Sequence, residues 1–284
     1  MIDSIITSLA HSLDEVIEII LFGFAFFFIE RINPADKTAK FFKDDMNNEI
    51  FLAAINAFLF IPLCLIVSSL FVAITLQPLI PYQMFAPQIQ SLPIAVQILI
   101  GSIIVDFSTY WRHRFTHFHM WSYHSVHHSA KQLTWISGLR LHPIDLLAAL
   151  MLTSSILYIV GFSGVGFLGT IIFIKLMNYT THMNYNLKFG KPLRYILASP
   201  HYHRWHHATE KSAYDKNFCG AFPFLDIIFG TYYHPEELPQ GYGLSPQEQK
   251  NFPEHSNIGW LTYPFKRTYK IWKKKLGHAK KNRK

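Results

Sequence analysis

Eight histidines in this sequence form three short clusters whose spacing suits the coordination of metal ions. The first cluster is a pair four residues apart, and the other two share the pattern His-x-x-His-His. The clusters are His113 and His117; His124, His127 and His128; and His203, His206 and His207. Residues three and four apart share one face of a helix, so each cluster can direct two or three imidazoles to one point. Imidazole suits iron, zinc, copper and nickel, and eight ligands are enough for two ions, each with an open position for oxygen.

A lone histidine is usually a surface residue or a hydrogen-bonded core residue. Here, however, 12 of the 16 histidines lie between His113 and His207, and the repeated spacing favours a metal site. A pH-sensing or proton-relay cluster is the alternative. Ligand type alone does not choose between iron and zinc.

The composition is typical of a membrane protein, because half of the 284 residues are hydrophobic and only 15% are charged. The apolar runs cover residues 16–29, 50–76, 92–110 and 144–177. The run at 16–29 is short and either spans with its neighbours or lies in the interface, whereas 50–76 and 92–110 predict membrane helices. The two cysteines, Cys64 and Cys219, do not form a disulfide framework.

The run at 144–177 must cross the membrane an even number of times if all three clusters meet on one side. It contains several glycines, and we predict a helical hairpin that turns near Gly161–Gly164. Each arm would have about 16 residues and a length of roughly 24 Å. A bilayer core is about 30 Å thick, so tilt, local thinning or a re-entrant pair would be needed.

Loop charges predict the orientation. The loop 31–49 contains four basic residues, whereas residues 77–91 and 1–15 contain none. The loop 31–49 is therefore predicted to be cytosolic and the loop 77–91 external. The 92–110 helix then delivers His113 to the cytosolic side. The tail from Lys266 to Lys284 carries ten Lys or Arg and no acid, which predicts contact with anionic lipid headgroups on the same side. Nucleic-acid binding and a solvated end are the alternatives for the tail.

Carboxylates are nearly absent from the histidine clusters. The sequence has no Glu-x-x-His pair beside them and no His-Glu-x-x-His motif, which are typical of carboxylate di-iron bundles and zinc proteases. A nitrogen-rich two-metal site of this kind points away from hydrolysis and towards iron that activates oxygen. In a membrane, the expected substrate is a lipid with an unactivated C–H bond.

The sequence around the clusters resembles the fatty acid hydroxylase and sterol desaturase superfamily of membrane di-iron enzymes. The resemblance covers about residues 101–234, and the N-terminal part is similar only in hydropathy. The matching segments are 106–113, 121–129, 140–143, 182–184, 199–207, 214–217 and 226–232. Two departures are Cys219, where glycine is more usual in the family, and Leu225, where an aromatic residue is common.

The resemblance implies that the eight clustered histidines ligate two irons and that His182 is an additional ligand. No catalytic residue separate from the ligands is implied. His142 is a candidate partner that orients another imidazole, and Asp106, Asp215 and Asp226 are candidate orienting or structural carboxylates. The alternative for each aspartate is a helix cap or a partner of Arg112 or Arg204.

We therefore predict an all-α, multi-span membrane protein with about four transmembrane helices and a cytosolic helical cap that holds a di-metal site. Residues 1–284 form one catalytic domain. It has N-terminal membrane helices in 1–100, a histidine-box core in 101–234 that includes the 144–177 hairpin, and a loop with a basic tail in 235–284.

The predicted activity is O2-dependent hydroxylation or desaturation of a fatty acyl chain, sterol or related lipid. The predicted site faces the cytosol from a bacterial inner membrane or the endoplasmic reticulum. Electrons would come from a separate ferredoxin or cytochrome b5 type of donor, because the sequence has no haem-binding segment and no cysteine set for an iron–sulfur cluster. The predicted partners are lipid and membrane, not nucleic acid.

Three alternatives remain open at this point. One is a pterin-dependent ether-lipid monooxygenase of the same superfamily. A metal-binding transporter or sensor would place ionisable groups within the apolar runs, but these histidines lie outside them. A zinc-dependent hydrolase would need a general base at ligand spacing, and the clusters offer none.

Overall fold

The computed structural model describes residues 17, 20–40, 43–76 and 85–281. Within these ranges the regular elements are helices, and the only strand-like pairing is a single bridge between Ala208 and Tyr242. The predicted all-helical class is therefore confirmed.

In the described part of the chain, seven α-helices precede the third histidine cluster. They are α1 (20–32), α2 (Met46–Leu76, with two π-helical stretches), α3 (Ala86–Ser91), α4 (Ile94–His119), α5 (Trp121–His128), α6 (Pro143–Val160) and α7 (Gly164–His182). Among the described residues, α2, α4 and α6 are long and apolar enough to cross a membrane. Their outer faces carry large exposed apolar side chains such as Phe58, Leu70 and Leu99. Exposed surface of this kind fits lipid better than water.

Helix α1 contains most of the first predicted apolar run, of which residues 16, 18 and 19 lie outside the described part of the chain. One face of α1 is buried at Gly23, Phe26 and Glu30, and Phe26 packs against Trp135 and Tyr179. The opposite face exposes apolar side chains, including Leu21 and Phe24. The buried Glu30 carboxylate accepts the backbone N–H groups of Trp135 and Asn184, which ties α1 to the histidine-bearing part of the chain.

Helices α6 and α7 form a hairpin whose turn falls at Gly161–Gly164. Gly161 ends α6 with φ of 97°, and a Cβ added there would lie 2.6 Å from the Cα of Ala86. Glycine is required here by both the left-handed backbone and the close approach of α3. The arms have 18 and 19 residues. At 1.5 Å per residue each is about 27–29 Å long, closer to the bilayer core than the shorter arms expected from sequence.

The described residues after α7 form a cap at one end of this bundle. Its helices are α8 (Pro200–His206), α9 (Phe224–Ile228), α10 (Pro246–Gln249) and α11 (Asn257–Lys281). The guanidinium of Arg140, which is 1% exposed, bonds Glu49 and Ser129 and lies over the ring of Trp260. This one cation joins α2, the end of α5 and α11.

The predicted membrane orientation depends partly on segments that the structure does not describe. Residues 1–15 and 77–84 lie outside the described residues. In the 31–49 loop, Lys43 is buried and pairs with Glu49 rather than facing solvent. The cytosolic side of the cap and the division of the chain at residues 100 and 234 therefore stay predictions.

Candidate metal centre

Nine histidines meet at the end of the bundle where α4 and α7 finish. They form two groups, and within each group one ligand nitrogen per residue lies within 4.8 Å of the others. The five-histidine group consists of His113, His117, His124, His128 and His206. The four-histidine group consists of His127, His182, His203 and His207. These are the nine residues predicted from sequence as ligands, although their binding of metal stays a prediction.

The two His-x-x-His-His clusters are divided between the groups. On α5, His124 and His128 are four residues apart and join the five-histidine group, whereas His127 points to the other. At α8, His203 and His207 join the four-histidine group, whereas His206 points to the first. Neighbouring helical residues face directions about 100° apart, so each His-His pair contributes to both groups. Each cluster thus directs two imidazoles to one group, as expected from the spacing, and the third histidine of each His-x-x-His-His cluster joins the other group.

Helix α8 is positioned by local signals at its start. The hydroxyl of Ser199 accepts the backbone N–H of Tyr202, and Pro200 occupies the first turn. Both features stabilise a helix N-terminus. The short helix is thereby fixed at the point from which its three histidines reach the two groups.

In the five-histidine group, three Nδ1 atoms donate to protein acceptors outside the group. His113 donates to the carbonyl of Phe218, and His206 donates to that of Lys216, each at 2.7 Å. His124 donates to the carboxylate of Asp145 at 2.7 Å, and this carboxylate also accepts from Arg112 at 2.6 Å. Because a carbonyl or carboxylate can only accept, these bonds place the proton on Nδ1 and leave Nε2 as the inward lone pair.

In the four-histidine group, the Nε2 atoms face one another. Nε2 of His182 lies 3.2 Å from that of His127 and 3.0 Å from that of His203, and His203 is 3.2 Å from His207. His182 donates its Nδ1 proton to the carbonyl of Asn178 at 2.7 Å. The Nδ1 atoms of the other three members are buried and have no hydrogen-bond partner among the described residues.

This donor set fits metal ions. Nε2 of His113 and Nε2 of His124 lie 2.9 Å apart. In the neutral rings each of these atoms carries a lone pair, and the two lone pairs repel each other. A cation between them would attract both. Three further Nε2 atoms of the five-histidine group, on His117, His128 and His206, are buried without a partner in the described structure. Buried polar atoms without partners are costly, and a bound ion removes that cost.

The electrostatic state of the imidazoles also suits coordination. Burial lowers the pKa of five members well below the ordinary histidine value, and the neighbouring imidazoles lower it further. These members are His127, His128, His203, His206 and His207. Their rings are therefore neutral at pH 7 and keep a lone pair available for metal.

Asp215 lies against the five-histidine group at the protein surface. Its carboxylate is 3.4 Å from Nδ1 of His117, and its side chain is half exposed. The hydrogen bond from His117 lowers the pKa of Asp215. Asp215 and Asn217 both have left-handed backbones, with φ of 57° and 56°, which fold this turn onto the site.

Asp106 and Asp226 contact the backbone beside the site rather than an imidazole. Asp106 accepts the N–H groups of residues 220–222, and Asp226 accepts those of Phe218 and Cys219. They therefore hold the loop that supplies the carbonyl partner of His113. Neither carboxylate is the partner of the two arginines considered from sequence, because Arg112 pairs with Asp145 and Arg204 bonds Met183 and Asn184.

His142 lies at the start of α6, and both of its ring nitrogens are engaged there. Nε2 donates to the carbonyl of Leu261 at 3.1 Å, and Nδ1 accepts the N–H of Ile144 at 3.2 Å. The residue thus caps α6 and joins it to α11. The bond from His142 to another imidazole, which would be needed to orient a ligand, is not among its contacts here.

Sequence reasoning missed Asp145 and the carbonyl anchors. Asp145 stands in the first turn of α6, where an acidic residue is expected simply because it complements the helix dipole. Its position two residues after the segment 140–143, which resembles the family, is the signal that could have found it. The carbonyls of Lys216, Phe218 and Asn178 had no such signal, because any residue type can supply a carbonyl.

Comparison with known proteins identifies this part of the chain. Residues 98–231 match the family model described as fatty acid hydroxylase. This segment is a fatty acid hydroxylase domain. The hydroxylase domain contains all nine histidines of the two groups. The predicted superfamily and the oxidoreductase class are confirmed.

Similar proteins include three with different names. The chain is 30% identical over 178 residues to ornithine lipid hydroxylase OlsE of Rhizobium tropici, covering 62% of this chain and 52% of that protein. It is 29% identical over 154 residues to alkylglycerol monooxygenase of Homo sapiens, covering 50% and 31%. It is 30% identical over 165 residues to very-long-chain aldehyde decarbonylase GL1-4 of Oryza sativa subsp. indica, covering 51% and 26%.

The chain spans about half or less of the length of these relatives. No solved structure gives a significant match. The residues that match the family thus include both histidine groups, which could each hold a metal ion.

Proposed function

We propose that this chain uses two iron ions and O2 to oxidise a C–H bond of a membrane lipid, with hydroxylation of an acyl chain as the principal reaction. The observation that carries this proposal is the pair of adjoining all-imidazole groups at one end of a bundle with three membrane-length helices. Nitrogen-only coordination without a nearby catalytic carboxylate at ligand spacing favours oxygen chemistry over hydrolysis.

One iron would be held by the five-histidine group and the other by the four-histidine group. When bound, the two irons would supply the oxidising power that activates O2 for attack on an unactivated C–H bond. Each ion would then have at least four imidazoles within reach.

The protein residues prepare this site in three ways. Asp145 and the carbonyls of Lys216 and Phe218 hold protons on Nδ1, so that the imidazoles present Nε2 to the ion. Burial keeps bulk water away from the ligands, because eight of them are buried and His117 is partly buried. Burial also keeps the rings neutral, as their lowered pKa values require.

The lipid substrate class is supported by the relatives and by the position of the site. Relatives are named as hydroxylase of ornithine lipid and monooxygenase of alkylglycerol. The candidate span α4 carries His113 and His117, and the candidate span α6 begins beside the site, where Asp145 contacts His124. A lipid in the bilayer would therefore have a short route to the histidine groups. A second candidate, oxidation of an ether lipid, is favoured by the similarity to alkylglycerol monooxygenase. For acyl-chain hydroxylation, a separate electron carrier of ferredoxin or cytochrome b5 type would supply electrons, whereas the ether-lipid reaction would depend on a pterin.

Metal analysis and lipid profiling test this proposal together. Iron-replete purified protein should contain about two irons per chain, as two separate groups require. Cells that express the chain under isotopically labelled O2 should accumulate a lipid that carries the labelled oxygen, and cells with the His127→Ala variant should not. Stoichiometric zinc that supports lipid hydrolysis without consumption of O2 would contradict the proposal.

We further propose that the histidine groups face the cytosol of a bacterial or endoplasmic reticulum membrane. The loop charges and the basic tail support this orientation. A cysteine introduced at the exposed Lys211, near the site, should react with an impermeant reagent only after cells are opened. Both native cysteines are buried, so the parent protein is the matched control. Labelling of Lys211→Cys from outside intact cells would overturn the orientation.

A further inference from the structure

Helix α11 has one face that belongs to the protein core. Trp260 and Tyr263 are buried and pack with Leu52, Val126 and Phe252. Arg267, one turn later, bonds Glu248 and the hydroxyl of Ser122 on α5. These contacts fix the orientation of the helix about its axis.

The opposite face of α11 carries a continuous apolar stripe. Its five members are each between 43% and 70% exposed, and their spacings of seven, four, three and four residues keep them on one side of a helix. We call this the α11 stripe. It consists of Ile258, Phe265, Tyr269, Trp272 and Leu276.

Lysines surround the second half of the stripe, and the helix sequence contains no acidic residue. Five of them have exposed side chains: Lys266, Lys270, Lys273, Lys274 and Lys275. A helix with aromatic and aliphatic residues on one side and lysines elsewhere is typical of peptides that lie in a membrane surface. Lysine attracts anionic headgroups, and its long aliphatic stem adapts to the interface.

The position of the stripe identifies what covers it. His142 caps α6, a candidate span, and donates to the carbonyl of Leu261 within α11. The ring of Phe265, in the stripe, lies 5.7 Å from His142 and 5.6 Å from the ring of Tyr123. Phe265 of the stripe therefore lies beside the start of α6, the end of a candidate span, where the lipid headgroups are expected.

We propose that α11 lies along the membrane surface, with the α11 stripe inserted among the lipids and the lysines against anionic headgroups. The helix thereby sets the height of the cap, because its core face is joined to α5 through Arg267 and Ser122. This refines the tail interaction expected from sequence to one face of one helix. It does not depend on which reaction the metal centre performs.

Spin labels on the two faces of α11 test the proposal in the full chain. One set replaces stripe residues, Tyr269→Cys and Trp272→Cys, and a matched set replaces lysines, Lys270→Cys and Lys274→Cys. Each protein is placed in nanodiscs with phosphatidylglycerol or with phosphatidylcholine alone. Accessibility to O2, which concentrates in lipid, is compared with accessibility to a water-soluble nickel chelate. Metal content equal to that of the parent shows that each variant has folded.

The expected result is a ratio of O2 to nickel accessibility that is several-fold higher at the stripe labels than at the lysine labels in phosphatidylglycerol. The difference should shrink in phosphatidylcholine or at high salt, which screens surface charge. Equal nickel accessibility around the helix would overturn the proposal. So would spin–spin broadening from a second copy seated on the stripe. An unchanged ratio in phosphatidylcholine would refute the role of anionic lipid.

Discussion

The two histidine groups use the same ligand type but are held in different ways. In the five-histidine group, His113, His124 and His206 each donate Nδ1 to a buried carbonyl or carboxylate, and His117 lies near Asp215. In the four-histidine group, only His182 has such an anchor among the described residues, and three buried Nδ1 atoms have none.

This difference concerns preorganisation. An outward Nδ1 bond fixes both the tautomer and the rotation of an imidazole before metal arrives. The five-histidine group is therefore built by the fold, whereas the geometry of the four-histidine group depends more on the ion itself. We expect the two metal positions to differ in affinity as a result.

The largest expected effect is the loss of one metal ion when a single ligand is removed. His206 and His207 are neighbours in sequence but belong to different groups. His206→Ala should abolish binding at the five-histidine group, and His207→Ala should abolish it at the four-histidine group. Each variant should keep about one ion instead of two, because each loses a ligand of one group only. Elemental analysis of the purified variants measures this. Retention of both ions in either variant would break the assignment of that residue, and loss of both would break the independence of the groups.

The second largest expected effect is a difference in the rate at which a chelator removes the ion from each group. Outer partners of metal-bound histidine are typically worth about 10–100-fold in affinity. Slow chelation of wild-type protein should therefore release the ion of the four-histidine group first. Applying the chelator to His206→Ala and His207→Ala assigns the steps, since each variant retains a single kind of site. Faster release from His207→Ala than from His206→Ala would reverse the comparison.

Asp145 sharpens the comparison within the five-histidine group. Asp145→Asn keeps the shape of the side chain but removes the charge that His124 and Arg112 contact at 2.7 and 2.6 Å. We expect metal affinity at that group to fall by about 10–100-fold, with the other group unchanged. Asp215→Asn is the matched control, and it should have a smaller effect because its contact is longer and half exposed. Competition with a chromophoric chelator measures both, and an equal loss in the two variants would contradict the role of Asp145.

The smallest expected effect is on the stability of the metal-free protein. Burial lowers the pKa of His127 and His203 in one group and of His128 and His206 in the other. The unfolded chain binds protons at the ordinary histidine pKa of about 6.5, and the folded chain does so only at lower pH. Stability should therefore be constant above pH ~7 and should fall as pH drops below ~6.5. Thermal unfolding across this range tests it, and stability that rises on acidification would contradict neutral imidazoles.

The sequence predicted the ligand candidates well because helical spacing and short motifs are local properties. Eight of the nine histidines that the fold brings together were identified in this way, and His182 was implied only by the family resemblance. The hairpin turn falls where Gly161 and Gly164 stand. The membrane-length helices were likewise visible as apolar runs.

Three features could not be read from local patterns. Spacing shows which residues share a helix face but not how helices are placed, so the division of His127 from His128 between groups was missed. The anchors of His113 and His206 are backbone carbonyls, which leave no mark on residue type. His142 stands in a segment that resembles the family, yet its nitrogens serve a helix cap and α11.

The carbonyl anchors have a consequence for how the sequence of this loop can vary. Lys216 contributes only its main chain to His206, so the side chain at that position can be exchanged freely without disturbing the ligand. The backbone conformation of the loop must be kept, and it is held by hydrogen bonds with the side chains of Asp106, Asn217 and Asp226. Residues that never touch an imidazole therefore constrain mutation at this site more tightly than the residue that does.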